Sequence, residues 1–307
     1  MMLNIDGLPL EQLLKRKSTK WRDYGVGVLP LPVAEMDFEI AKQIRDVLGE
    51  MIRISDTGYL GSVPELKENF TKFAMERWGW DVTNSELFLA ADVGVATVEF
   101  CRTFLNPGDG IVYNTPVYHN FLNWINELKA KPVDAPLKKT ELHYELDFDA
   151  IETAYKSGAK AHILCSPHNP VGTVFTKEEL IKLAELAKKY GVVVISDEIH
   201  APLTFDESKF IPFLDVSQTA KEVGVCITAA SKSWNIAGLK CAFILTQSEN
   251  MAELAKKMPA AVHYRASLFG AIAAATAYTS TDWLDATLKT LDRNRKFVKK
   301  LLDEKLP

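Results

Sequence analysis

The chain has 307 residues, 47% of them apolar and 25% charged, and its 36 Lys and Arg against 40 Asp and Glu leave a net charge of −4. A chain of this length buries roughly 75% of the surface its unfolded form exposes, enough for a large core, and the length favours about two domains. The lack of a basic excess argues against a general nucleic-acid binder, and the supply of Leu, Ile, Val and Phe argues against disorder.

In chain order, the first twenty residues lack a basic start followed by an apolar block and a small-residue cleavage site, so no signal peptide is expected. Ser62-Val63-Pro64-Glu65 reads as a capping-box helix start, with Leu66, Phe70, Phe73 and Ala74 recurring on one face. Strands are expected at 87–90, 111–114, 161–165, 192–196, 225–229 and 241–246. Most are continuous Val/Ile/Leu runs, as in strands covered by helices on both faces. Thr176-Lys177-Glu178-Glu179 opens a second capped helix with the stripe Leu180, Leu183, Ala184 and Ala187, closed by Gly191. The weakly polar stretch 266–278 is shorter than the ~20 residues a bilayer span needs and reads as a buried helix. The run 283–302 places Leu284, Leu288, Leu291 and Val298 on one face of a long amphipathic helix. That helix either lies back on the large domain or opens a small C-terminal domain that is cut off. Cys101, Cys165, Cys226 and Cys241 are dispersed without a C-x-x-C pair, which points to buried, reduced thiols in a cytoplasmic protein. The alternation of strand and helix predicts an α/β domain around a mainly parallel sheet over about 50–280.

Ligands of open α/β sheets bind at the carboxyl ends of strands, and three expected strands end in unusual polar peptides. The first runs into Ser166-Pro167-His168-Asn169-Pro170, the second into Asp197-Glu198-Ile199-His200, the third into Ser231-Lys232-Ser233-Trp234-Asn235-Ile236-Ala237-Gly238. Singly, these read as a common Asn-Pro turn, a helix-capping Asp and a surface Lys. Together they can bring an amide, a carboxylate and an amine to one edge. Asp92-Val93-Gly94-Val95-Ala96-Thr97 follows another strand and opens a helix, where the N–H groups of Val95 and Ala96 can face an anion. His200 as a metal ligand is disfavoured, because no cluster shows ligand spacing.

Asp197-Glu198-Ile199-His200 followed 35 residues on by Ser231-Lys232 resembles the site of fold-type I aminotransferase-like enzymes that use pyridoxal 5'-phosphate. The resemblance is closest to the MalY/PatB-type C–S lyases, the cystathionine β-lyase-like branch. It is supported by the segment from Leu29 to Phe38, by Gly58-Tyr59-Leu60-Gly61 and by Ser196 to Ala201, and it covers essentially the whole chain. It implies the aminotransferase fold type I large domain, a parallel sheet flanked by helices, over 50–280. An N-terminal segment at 1–49 and an incomplete small α+β domain beginning at 281–307 complete the expected organisation.

The resemblance assigns Lys232 to condensation with the cofactor aldehyde and to later proton transfer. Asp197 is assigned to the pyridine nitrogen, and Asn169 to the phenolate oxygen. His200 stands where many aminotransferases have Tyr, as in the lyase branch. Val95, Ala96, Ser231 and Lys240 are assigned to the phosphate, Lys240 supplying a point charge where an arginine is common. Tyr118 matches the aromatic that stacks on the ring, though by itself it reads equally well as a rim aromatic. Tyr59 matches a tyrosine that reaches the site from the neighbouring subunit, so a homodimer is expected. Pro32 and Glu35 depart from the branch, which often has Trp and Asp there. No residue matches the family's Arg for the substrate carboxylate, which lies beyond Pro307. The implied activity is C–S β-lysis of cystathionine or other cysteine S-conjugates to a thiol, pyruvate and ammonia. The alternatives are an amino-acid aminotransferase and a non-catalytic sensing module; nucleic acid and membrane are not expected partners.

Overall fold

A computed structural model describes residues 5–25, 27–31, 33–141 and 143–306; Pro32 lies outside them. The centre is a seven-stranded sheet. Its strands are β1 (Glu86–Ala90), β2 (Gly110–Tyr113), β3 (Lys131–Asp134), β6 (Ala161–Cys165), β7 (Val193–Asp197), β8 (Gly224–Thr228) and β9 (Ala242–Thr246). The spatial order is β1-β9-β8-β7-β6-β2-β3, and β4 (Lys138–Lys139) pairs with β5 (Tyr144–Glu145) as a separate hairpin. From β8 through β7, β6 and β2 to β3 all neighbours are parallel, whereas β9 is antiparallel to both β8 and β1. The carboxyl ends of β1, β2, β3, β6, β7 and β8 therefore share one edge with the start of β9.

Two apolar layers cover the sheet. Ile163, Ile195, Val225, Ile227 and Ile244 face one layer with Val93, Ala96 and Phe100. Leu164, Val194, Cys226, Phe243 and Leu245 face the other, with Leu66, Phe70, Leu180 and Leu183. Burial on both faces explains why these strands read as unbroken apolar runs, and each large side chain so buried contributes about 1.5–3 kcal/mol. In the second layer Phe70 lies 4.9 Å from Phe243 and 5.0 Å from Tyr278 between ring centroids, and Trp234 lies 5.3 Å from Tyr278.

The Thr176 capping box forms as expected: Glu179 N donates to Thr176 Oγ1 at 3.2 Å and Thr176 N to Glu179 Oε2 at 2.8 Å. Gly191 closes that helix at φ +66°, a left-handed conformation that suits glycine. The box at Ser62 does not form. Helix Pro64–Trp78 has Val63 as its N-cap without a side-chain bond; Pro64 at the first position fixes the start and leaves Ser62 one residue too early. β3 escapes the strand pattern because Lys131, Pro132 and Asp134 interrupt it; as an edge strand it tolerates both charge and proline. All four cysteines are buried and free.

The last helix, Thr281–Lys305, lies back on the body through its first half. Trp283 Nε1 donates to Glu39 O at 3.1 Å and Thr290 Oγ1 to Ile5 O at 2.7 Å, so the N-terminal segment and this helix pack together. Leu284 is fully buried, but Val298 is 51% exposed, so the expected stripe is covered only at its start. Among the described residues no helix is long and apolar enough to cross a membrane, and no group of three or more His, Cys, Asp or Glu could hold a metal ion.

Candidate active site at the carboxyl edge of the sheet

Lys232 sits in the turn after β8. Trp234 plugs that turn into the aromatic layer and its Nε1 donates to Ser280 O at 3.2 Å, while Ile236 N donates to Ser231 O at 2.9 Å. Asn235, held at φ +59°, clamps the N-terminal segment: its Oδ1 accepts from Met36 N and its Nδ2 donates to Met36 O, both at 2.9 Å. The same segment is tied by the buried Lys20, which donates to Glu35 O at 2.8 Å and to both Asp37 carboxylate oxygens at 2.9 Å. Ser18 Oγ donates to Glu35 Oε1 at 2.7 Å. Burial pulls the Lys232 amine below its usual pKa; the carboxylates of Asp197 and Glu35 oppose that pull and the Lys240 charge adds to it. An amine so placed is neutral more often than a surface lysine, as a nucleophile or base requires.

Asp197 ends β7, and its register partners are Cys165 on β6 and Ile227 on β8. Its side chain is 4% exposed, and among the described residues its carboxylate accepts one hydrogen bond, from Ile199 N at 3.2 Å. Burial pushes its pKa up to about 7, against the pull of the Ile199 amide and the Lys232 charge. A buried, under-partnered carboxylate is a socket for a cation. Glu198, facing the opposite side of the sheet, is instead satisfied. It accepts from Ser196 Oγ and Phe213 N at 2.9 Å and from Cys226 Sγ at 3.3 Å, although burial also raises its pKa to about 7. His200 is neutral at physiological pH because burial, and then the Lys232 charge, push its pKa down to about 4.

Two strands away, β1 runs into helix Val93–Arg102. The Val95 and Ala96 amides expected to be free are engaged: Val95 N donates to Asp92 Oδ1 and Ala96 N to Asp92 O, both at 2.9 Å. An Asp N-cap satisfies those donors from within the chain, which leaves the Val93 and Gly94 amides as the open ones at this helix start. Lys240 Nζ lies 3.1 Å from Asp92 Oδ2, so the lysine stands at the same helix start from the beginning of β9. Gly94 admits no side chain, because a Cβ there would meet Trp124 Nε1 at 2.8 Å.

Tyr118 is half-buried, its ring edge-on to Phe121 and Trp124 at centroid distances of 6.4 and 6.2 Å, and Asn120 Nδ2 donates to its hydroxyl. Asn169 is half-buried beyond the end of β6, its N–H directed at Cys165 Sγ. Lys232, Asp197, His200 and Ser231 thus gather at the ends of β7 and β8, with Lys240, Val95 and Ala96 on one side and Asn169 and Tyr118 on the other. Tyr59 is not brought in; it is 95% exposed.

Residues 25–306 match the family model for aminotransferase class I and II. The chain belongs to that family. This aminotransferase-family chain is 39% identical over 99% of its length to a putative cystathionine beta-lyase of Mycobacterium tuberculosis, spanning 75% of that protein. It is 30% identical over 97% of its length to the cystathionine beta-lyase PatB of Bacillus subtilis, spanning 79% of it. The crystal structure of a putative PLP-dependent beta-cystathionase from Corynebacterium diphtheriae superposes with a TM-score of 0.90 at 32% identity, covering 96% of this chain and 77% of the other.

Sequence reasoning missed several residues that shape the site of this aminotransferase-family chain. Asn235 lies inside the quoted lysine motif, but its clamp on Met36 joins residues 199 apart and has no local signature. Trp124 reads as an ordinary apolar helix position, and only the close approach to Gly94 reveals it as a wall of the helix start. The Lys20–Asp37 pair is likewise invisible until the segment folds on itself.

Proposed function

We propose that this chain is a pyridoxal-phosphate-dependent C–S β-lyase that cleaves cystathionine or a related cysteine S-conjugate to a thiol, pyruvate and ammonia. The observation that carries the reading is the run of relatives named cystathionine beta-lyase, at 30–39% identity over almost the whole chain, joined to an amine and an unpaired buried carboxylate at neighbouring strand ends.

The residues fit the cofactor. Among the described residues Asp197 makes no direct ion pair, although it feels the Lys232 charge, and it suits a protonated ring nitrogen; Asn169 suits the ring oxygen, His200 the ring's side, and Tyr118 its face. The start of helix Val93–Arg102 suits a phosphate, with Val95, Ala96, Ser231 and Lys240 around it. Because the Val95 and Ala96 amides are turned to Asp92, their part in phosphate binding requires the cap to yield; Lys240 and the two preceding amides stand ready. When bound, pyridoxal phosphate supplies an aldehyde for amines and an electron-accepting ring. Lys232 Nζ would hold the cofactor through its aldehyde and, once released by the substrate amine, would take the Cα proton, for which its lowered pKa suits it. Asp197 would hold the ring nitrogen in its protonated form, and the ring would supply the electron sink for charge at the substrate Cα that departure of the β-thiolate requires.

The finer organisation is also proposed. Residues 50–280 form the cofactor domain, and the contacts between residues 5–44 and the last helix support treating 1–49 and 281–307 as belonging to a second unit. A homodimer in which Tyr59 serves the neighbouring site is supported by its 95% exposure alongside Leu31 at 82% and Leu29 at 67%. Four buried free thiols suit the cytoplasm.

The test is the visible absorbance of the purified chain with pyridoxal phosphate, then with cystathionine, for wild type and Lys232→Ala. A band present only in wild type, followed by pyruvate and thiol, is the expected result. A lysine-dependent band that bleaches with an amino acid and returns with a keto acid, without thiol release, would move the assignment to transamination.

A further inference from the structure

We infer that His168 is a positioning residue that sets the spacing between the Tyr118 turn and the Asn169 turn, and thereby the grip on the cofactor ring; this rests on the cofactor placement proposed above. The parallel pairing of β2 with β6 is short, covering Ile111↔Ala161 and Val112↔His162. Beyond it the two strands continue toward the site without a backbone ladder, and side chains bridge them. His162 Nε2 meets Asn114 Oδ1 at 2.7 Å, and farther out His168 Nε2 meets the Pro116 carbonyl at 2.9 Å. The second bridge joins the residue two before Tyr118 to the residue directly before Asn169.

His168 is 1% exposed. A carbonyl only accepts, so Nε2 carries the proton; burial pushes the ring toward neutrality against the pull of the Pro116, Cys165 and Asn114 carbonyls, which leaves Nδ1 unprotonated. Nδ1 is buried with no hydrogen-bond partner. A buried orphan acceptor is a standing penalty that an apolar residue of similar size would avoid. What the imidazole supplies in return is the bond to Pro116. Both ends of that bond are anchored. His168 N donates to Thr173 O at 2.8 Å and Gly172 N to His168 O at 2.7 Å, closing the Asn169 turn. On the other side Thr115 Oγ1 donates to Asp134 Oδ2 at 2.7 Å and Leu137 N to Thr115 O at 2.8 Å. The His168–Pro116 bond therefore sets how far apart two rigid turns stand.

The experiment compares the pyridoxal-phosphate-loaded wild type with His168→Leu and His168→Gln, the latter offering an amide donor toward Pro116. Readouts are the cofactor dissociation constant and the visible circular dichroism of the bound cofactor, which reports ring orientation. His168→Leu should weaken cofactor binding about fivefold, the scale of one hydrogen bond, and reduce the dichroism; His168→Gln should recover binding to within about twofold. In an Asn169→Ala background the effect of His168→Leu on binding should largely vanish, because both act through one contact. Full additivity in that cycle, or His168→Leu with wild-type binding and dichroism, would overturn the inference even if its melting temperature falls. Should His168→Leu be insoluble, His168→Asn, too short to reach Pro116, carries the same expectation. Absence of a lysine-dependent band in the wild type would overturn the cofactor placement, and this inference with it.

Discussion

Replacing Asp197 by Asn tests the electrostatics of the buried carboxylate directly. The carboxyl is buried with a pKa of about 7, against 3.8 in an unfolded chain. Its folded pKa is raised, so the folded protein holds a proton that the unfolded chain has already released. The contribution of this group to stability is therefore fully present below pH 3.8 and is lost as pH rises through 7. Linkage puts the loss at about 2 kcal/mol at pH 5 and about 4 kcal/mol at pH 8. Asn does not titrate, so the stability of cofactor-free Asp197→Asn relative to wild type should rise by about 2–3 kcal/mol between pH 5 and pH 8. Using the change between two pH values removes the intrinsic difference between the two side chains. Glu198 titrates in both proteins and largely cancels; the relief of its repulsion by Asp197 acts in the same direction. Urea unfolding of both cofactor-free proteins at the two pH values measures the quantity. A stability difference that does not change with pH would refute the picture of a buried carboxylate awaiting a cation. Adding pyridoxal phosphate at pH 8 should then stabilise wild type far more than Asp197→Asn, because only the carboxylate gains a charged partner.

Other consequences follow from the packing around the site. Gly94→Ala places a methyl 2.8 Å from Trp124 Nε1, which should destabilise the protein by about 1–3 kcal/mol and weaken cofactor binding; unchanged thermal stability would show that the indole moves freely. Trp234→Ala empties a fully buried site in the aromatic layer and should cost about 3–5 kcal/mol, read as a lowered denaturation midpoint. Asn235→Gly keeps the left-handed backbone but releases Met36, so KM for the cysteine conjugate should rise while cofactor affinity holds. Equal losses in both would place the clamp beneath the cofactor rather than beside the substrate.

The strands at 161–165, 192–196 and 225–229 were legible because burial on both faces demands continuous apolar runs, and the polar peptides that end them marked the edge where the site lies. The first is found at the expected bounds, Ala161–Cys165, while the other two shift by one residue, since strand ends are where ladder and turn compete. The edge strand β3 was illegible for the opposite reason: with one neighbour and exposed Lys131 and Pro132, it has little apolar pattern to show. At the helix start, the turn from strand to helix was legible in the run from Asp92 to Thr97, but the sequence could not say that Asp92 would occupy the Val95 amide itself. A capping Asp and an anion compete for the same donors, and local sequence is silent on which wins.

The direction of β9 explains the rest of the site. A parallel β9 would carry Lys240, which precedes the strand, to the far end of the sheet. Because β9 runs antiparallel to β8 and β1, the turn after β8 needs only a short stretch of chain to hold Lys232 and still deliver Lys240 to the same edge, 3.1 Å from Asp92. Two lysines eight residues apart thus reach different places: one is enclosed near Asp197 with its pKa lowered, and the other is exposed at a helix start, where its positive charge faces a carboxylate. That difference in burial between the two amines comes from the reversal of a single strand. Lys240→Ala should therefore leave the lysine-dependent absorbance intact and weaken cofactor affinity, whereas Lys232→Ala should abolish the band; loss of the band in Lys240→Ala with its retention in Lys232→Ala would mean that the exposed lysine, not the enclosed one, is the reacting amine.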